Sequence, residues 1–246
     1  MKIRQHIPSF FTFINLFLGF LAIINIMDND YIIACYFILA ASVFDSIDGK
    51  LARLMDIPTN FGKEIDSLAD MVSFCLAPSI LVYSLYTYDM PGILGEIIAS
   101  SSLIMGAIRL ARFNLEEEFQ SANFLGLPTP MNALAIASLV LFVEEIKVIN
   151  IDYTQPKLLL PLILSLSYLM ISNINFPKFP LLDFKQGNQN TLRLIGVLIF
   201  IISFFISIFV GYSYWILAIF VSFYILSALI NHSINLGNIR LSNQDK

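Results

Sequence analysis

Asp45-Ser46-Ile47-Asp48-Gly49-Lys50-Leu51-Ala52-Arg53, followed after a gap of eight residues by Gly62-Lys63-Glu64-Ile65-Asp66-Ser67-Leu68-Ala69-Asp70, is the stretch that decides this chain. Its two halves lie at the ends of long apolar runs, where a carboxylate is costly and marks a functional site by default. Asp45 and Asp48 are spaced i, i+3 and Asp66 and Asp70 i, i+4, so each pair occupies one face of a helix. The connection around Asp56–Asn60 contains Pro58 and reads as a tight reversal, which sets the two acidic faces side by side at one depth. Four converging carboxylates repel one another. The simplest remedy is one or two divalent cations, and an all-oxygen ligand set favours Mg2+, Mn2+ or Ca2+ over Zn2+.

The residues between the acids narrow the substrate. Gly49 and Ala52 follow Asp45 and Asp48 by four positions each, and Gly62 precedes Asp66 by four, so all three keep the acidic face clear. Arg53, two turns beyond Asp45, is placed to pair with a phosphate. Metals, an arginine and a cleared helix face point together to a substrate with a pyrophosphate. Taken singly, the small residues also read as close helix contacts, Arg53 as a membrane-edge anchor, and the four acids as a proton or cation relay in a transporter. A transporter predicts interrupted helices in matching halves, and the sequence carries no such repeat.

Around this stretch the composition is that of a membrane protein. Of 246 residues 57% are hydrophobic and 13% charged, with a mean hydropathy of +0.78, more apolar surface than a soluble domain of this size can bury. The net charge of −4 gives no basis for a nucleic-acid partner. Cys35 and Cys75 stand in apolar runs and read as small buried side chains; His6 and His232 are at opposite ends of the sequence and make no pair.

With about 20 apolar residues per crossing, the expected fold is an all-α polytopic bundle of about eight transmembrane helices, near 9–27, 31–54, 62–87, 92–114, 130–147, 157–174, 191–211 and 213–232. The first run has no small-residue cleavage site after it and reads as a helix, not a signal peptide. Placing both termini in the cytoplasm puts Lys2, Arg4, Lys50, Arg53, Lys63, Arg109, Arg112, Lys178, Lys185, Arg193, Arg240 and Lys246 inside. Only Lys147 and Lys157 are left outside. The acids then lie at the cytoplasmic ends of helices two and three. The expected division is a catalytic membrane domain over 1–180, two further helices over 181–236 and a frayed polar tail over 237–246.

The quoted stretch resembles the full signature of the CDP-alcohol phosphotransferases, with all eight of its fixed positions filled: Asp45, Asp48, Gly49, Ala52, Arg53, Gly62, Asp66 and Asp70. The resemblance implies that Asp45, Asp48, Asp66 and Asp70 bind two divalent ions, Mg2+ or Mn2+, and that Asp70 is the general base toward an acceptor alcohol. It implies that Gly49, Ala52, Arg53 and Gly62 contact the CDP portion of the donor, joined by Pro8 and Thr12 from the opening segment. It also implies a homodimer in the membrane.

Flanking segments resemble the bacterial and archaeal phosphatidylserine synthase branch of that family. They are Ile7–Gly19, Phe74–Ser79, Ala107–Asn114, Gly126–Pro130 and Tyr168–Phe179. Ser9 stands where Asn is common and Cys75 where Gly is common. This resemblance implies CDP-diacylglycerol as donor, L-serine as acceptor and CMP as the other product, at the cytoplasmic face of the inner membrane of a bacterium or archaeon. Relatives with glycerol phosphate, inositol phosphate or choline as acceptor share the signature. Arg109 and Arg112, three apart, offer guanidinium groups for a lipid phosphate or the serine carboxylate, or snorkel as anchors. Asn15, Asn114, Thr129 and Asn132 are candidates for serine contacts, and Gly126–Pro130 reads as a rigid loop.

Overall fold

The structure, a computed structural model, describes residues 7–54, 60–115, 123–149, 159–177 and 213–244, with single positions at 191, 195, 196, 199 and 203. Helix α1 spans Ile7–Met27 and α2 Tyr31–Leu54. The turn between them places Asn29 at φ 63°, a conformation asparagine tolerates, and Tyr31 Oη donates to Asn29 Oδ1. Helix α1 is sorted by what surrounds it. Phe10, Phe13, Phe17, Phe20 and Ile24 are exposed along one stripe, while Thr12, Asn15, Ala22 and Ile26 are buried on the other. That is the pattern of a helix whose apolar face meets lipid and whose polar groups turn inward.

The third span starts as α3 (Asn60–Asp70), widens into a π-helical stretch (Met71–Leu76), resumes as α4 (Ala77–Val82) and ends in a second π stretch (Tyr83–Thr87). Pro78 has no N–H to return to the preceding turn, and the helix widens directly ahead of it. The first π stretch turns Ser73, Phe74 and Cys75 fully into the core, and α1, α5 (Leu94–Leu115) and α6 (Thr129–Ile149) all pack against it. Gly106 of α5 permits this approach, because a Cβ there would collide with Cys75 Sγ.

Six helices among the described residues are long and apolar enough to cross a membrane, in agreement with an all-α polytopic bundle. Of the expected sixth crossing, 157–174, the described residues show α7 (Leu159–Met170), which ends four residues short of the expected boundary. It stops because the carbonyl of Leu169 is taken by the N–H groups of Leu127 and Ser172 and the Ser172 hydroxyl, not by another helical turn. A short antiparallel ribbon follows, β1 (Asn123–Leu125) on β2 (Asn175–Pro177), with Phe124 opposite Phe176. Sequence periodicity could not reveal two strands of three residues each. The expected seventh crossing, 191–211, lies mostly outside the described residues, as does the reversal at 55–59. The last helix, α8 (Ser213–Gln244), runs 32 residues and ends beyond the expected boundary at 232.

Candidate active site

Helices α2 and α3 bring the acids together as their spacing required. Carboxylate oxygens of Asp45, Asp48 and Asp66 lie within 4.8 Å of one another. Asp70, one turn along from Asp66, lies within electrostatic reach of Asp45 and Asp66 and is buried. Two of the acids are held from other helices. Thr12 Oγ1 of α1 donates to Asp48 Oδ2 at 2.7 Å, and Thr129 Oγ1, the first residue of α6, donates to Asp70 Oδ2 at 3.1 Å. Oδ1 of Asp66 and Oδ1 of Asp70 are buried and have no hydrogen-bond partner among the described residues.

Buried carboxylate oxygens without donors are uncommon, because desolvating them costs several kcal/mol. Three converging carboxylates plus orphaned oxygens therefore form a hard-oxygen donor set that fits a divalent cation. A Cβ added at Gly49 would meet no atom of the described residues within 4 Å. Gly62, half-buried, lies in the first turn of α3. Ala52 and Arg53 belong to the last turn of α2 and Pro8 to the first turn of α1, but their side chains lie outside the described residues.

The acceptor candidates separate into two groups. Arg109 is buried, within electrostatic reach of Asp70, and its guanidinium lies 5.9 Å from the centroid of the Phe124 ring. Asn15 is fully buried, its main-chain carbonyl accepts from Ser73 Oγ at 2.9 Å, and neither polar atom of its side chain has a partner among the described residues. Thr129 already holds Asp70.

Arg112 and Asn114 point elsewhere. Arg112 donates to the carbonyls of Leu125 at 2.8 Å and Ile171 at 3.4 Å, bolting β1 to the end of α7. Asn114 bonds Ser67 at 3.0 Å while its carbonyl receives Lys63 Nζ at 3.0 Å, joining α5 to α3. The loop before α6 is tied to the end of α7. Gly126 sits at φ +76°, where a Cβ would strike the Met170 carbonyl, and its N–H donates to Ile174. Sequence reasoning passed over Ser73, although it stands one turn from Asp70. Phe124 carried no signal, because only the ribbon register brings it under Arg109.

Comparison with known proteins agrees with this geometry. The family described as CDP-alcohol phosphatidyltransferase matches residues 5–170. A CDP-diacylglycerol–serine O-phosphatidyltransferase of Helicobacter pylori is 35% identical over 195 residues, covering 79% of each chain. Its Bacillus subtilis counterpart is 34% identical over 176 residues, 71% of this chain and 92% of that one. An archaetidylserine synthase of Methanothermobacter thermautotrophicus is 35% identical over 177 residues, 70% of each chain. The matched region contains the four aspartates and both threonines that hold them, and the chain belongs to the CDP-alcohol phosphatidyltransferase family.

Proposed function

We propose that this protein is a phosphatidylserine synthase, transferring the phosphatidyl group of CDP-diacylglycerol to L-serine with release of CMP in a divalent-metal-dependent reaction. One observation carries the reading: three carboxylates converge within 4.8 Å beside a fourth, Asp70, that a threonine holds by one oxygen while the other is left without a partner among the described residues. The serine acceptor is supported by the names of the relatives and by the flanking segments that resemble the serine branch of the family.

Asp45, Asp48 and Asp66, with Asp70 at the edge, would hold one or two ions, Mg2+ or Mn2+. When bound, these supply Lewis-acid stabilisation of the pyrophosphate charge. The open face at Gly49 admits the CDP moiety against the backbone of α2, with the acyl chains in the bilayer. The serine hydroxyl oxygen forms the new bond to the phosphatidyl phosphorus. The bond from that phosphorus to the bridging oxygen breaks, and CMP leaves with the electron pair. The hydroxyl proton passes to Asp70 Oδ1, which is positioned because Thr129 fixes Oδ2. Arg109 supplies positive charge beside Asp70 for a carboxylate or phosphate.

The same reading includes eight crossings with both termini cytoplasmic and a site facing the cytoplasm of a bacterial or archaeal inner membrane. It is supported by the one-sided distribution of Lys and Arg. A homodimer is proposed from the family resemblance. The test is CMP release by the purified protein from CDP-diacylglycerol, offered serine, glycerol phosphate, inositol phosphate and choline separately, with and without chelator. Serine-dependent release that chelator abolishes supports the proposal. A clear preference for another alcohol overturns the acceptor, and failure to form CMP with any of them overturns the transfer.

A further inference from the structure

A second polar layer lies one helical turn past the aspartates. The π stretch after Asp70 is its centre, with α1, α5 and α6 packed around it. Ser73, three residues after Asp70, donates to the Asn15 carbonyl and so pins that turn of α1 against the stretch. On α6, Asn132 stands three residues after Thr129 and therefore one turn past the contact with Asp70. Asn132 is fully buried. Its Nδ2 donates to Ser102 Oγ of α5 at 2.7 Å, which orients the amide, and its Oδ1 has no hydrogen-bond partner among the described residues. Asn15 is equally buried, and its whole side-chain amide is unpartnered among the described residues.

A buried, oriented amide oxygen left without a donor among the described residues, as at Asn132, is costly unless a donor-rich group reaches it. An ammonium has three N–H donors and no acceptor, so carbonyl oxygens are its natural partners. We propose that Asn132 receives the α-ammonium group of the acceptor on its Oδ1, making this layer the element that selects an amino-acid alcohol over a plain one. The inference rests on the serine-transfer reading above and deepens it. It assigns the ammonium to the Asn132 amide, leaving Arg109, within electrostatic reach of Asp70, for the carboxylate. Asn132, oriented by Ser102, is then a specificity residue that meets the acceptor and not the donor lipid.

The experiment uses the full-length protein in detergent with CDP-diacylglycerol, Mg2+ and three acceptors: serine, serine methyl ester and N-acetylserine. The ester keeps the ammonium and N-acetylserine neutralises it. The expected result is transfer to the ester at reduced efficiency and none to N-acetylserine. For Asn132→Ala, the KM for serine is expected to rise about 10–100-fold, as for a lost hydrogen bond to a charged group, with the KM for CDP-diacylglycerol within about twofold of its starting value. Transfer to N-acetylserine as efficient as to serine overturns the inference, and so does a variant whose serine KM is unchanged. The acceptor comparison uses unaltered protein and stands even if the variant does not fold. If the unaltered protein makes CMP with another alcohol but not with serine, it is the serine reading that fails.

Discussion

Thr129 Oγ1 reaches Asp70 Oδ2 at 3.1 Å across 59 positions of sequence, so the first residue of α6 sets the orientation of a carboxylate on the third span. A hydrogen bond to a charged acceptor is worth about 1.5–3 kcal/mol, or roughly 10–100-fold in rate if it is needed in the transition state. Thr129→Val is expected to lower kcat for CMP release by that factor, and Thr129→Ser to retain most of it. Equal kcat in the valine variant and the unaltered protein would remove Thr129 from this role.

Asp70→Asn keeps the shape and the acceptor oxygen but cannot take the proton. Turnover is expected to fall to background while the protein still inserts and elutes as the unaltered protein does in size exclusion. Near-normal turnover would exclude Asp70 as the base.

The 2.7 Å bond from Thr12 to Asp48 predicts a different phenotype. Groups that orient ligating carboxylates typically contribute about 10–100-fold in metal affinity. Thr12→Val is therefore expected to shift the Mg2+ or Mn2+ concentration for half-maximal activity upward by about that factor, with activity largely restored at saturating metal. A metal titration superimposable on that of the unaltered protein would contradict it.

Gly106 and Cys75 form a packing pair. A Cβ at Gly106 would meet Cys75 Sγ and, at 3.1 Å, Cys75 Cβ. Gly106→Ala is expected to destabilise the protein by about 1–3 kcal/mol, the usual cost of overpacking. In a Cys75→Gly background the same change should cost much less, since only the flexible Met170 Cε, 3.2 Å from that Cβ, is left in the way. Thermal unfolding of the two single variants and the double variant measures this coupling. Strict additivity would refute the contact.

The four aspartates are legible in the sequence through local spacing on two adjacent helices, because i, i+3 and i, i+4 positions share a face whatever the tertiary fold. A carboxylate at membrane depth is also too costly to be retained without a use. The positive φ of Gly126 is different: its close approach to the Met170 carbonyl and its bond to Ile174 come from the distant end of α7. Arg112 reads the same as Arg109 in sequence, three residues away at the same helix end. In the fold it is committed to the Leu125 and Ile171 carbonyls. Its partners come from segments 13 and 59 residues distant, and no spacing rule reaches them.

The sequence by itself determined the membrane class, the acidic cluster, the ions it suits and the family resemblance. Each of these depends on composition or on residues within one or two helical turns. Only the tertiary structure decided which hydroxyl holds which carboxylate and how the π stretch before Pro78 turns Ser73 and Cys75 inward. It also decided that α7 stops at Met170 and that Asn15 and Asn132 are buried with amide oxygens unpartnered among the described residues. Those outcomes depend on which helices pack around Asp70, and in a bundle that is settled by long-range contacts between side chains, not by the period of any one helix.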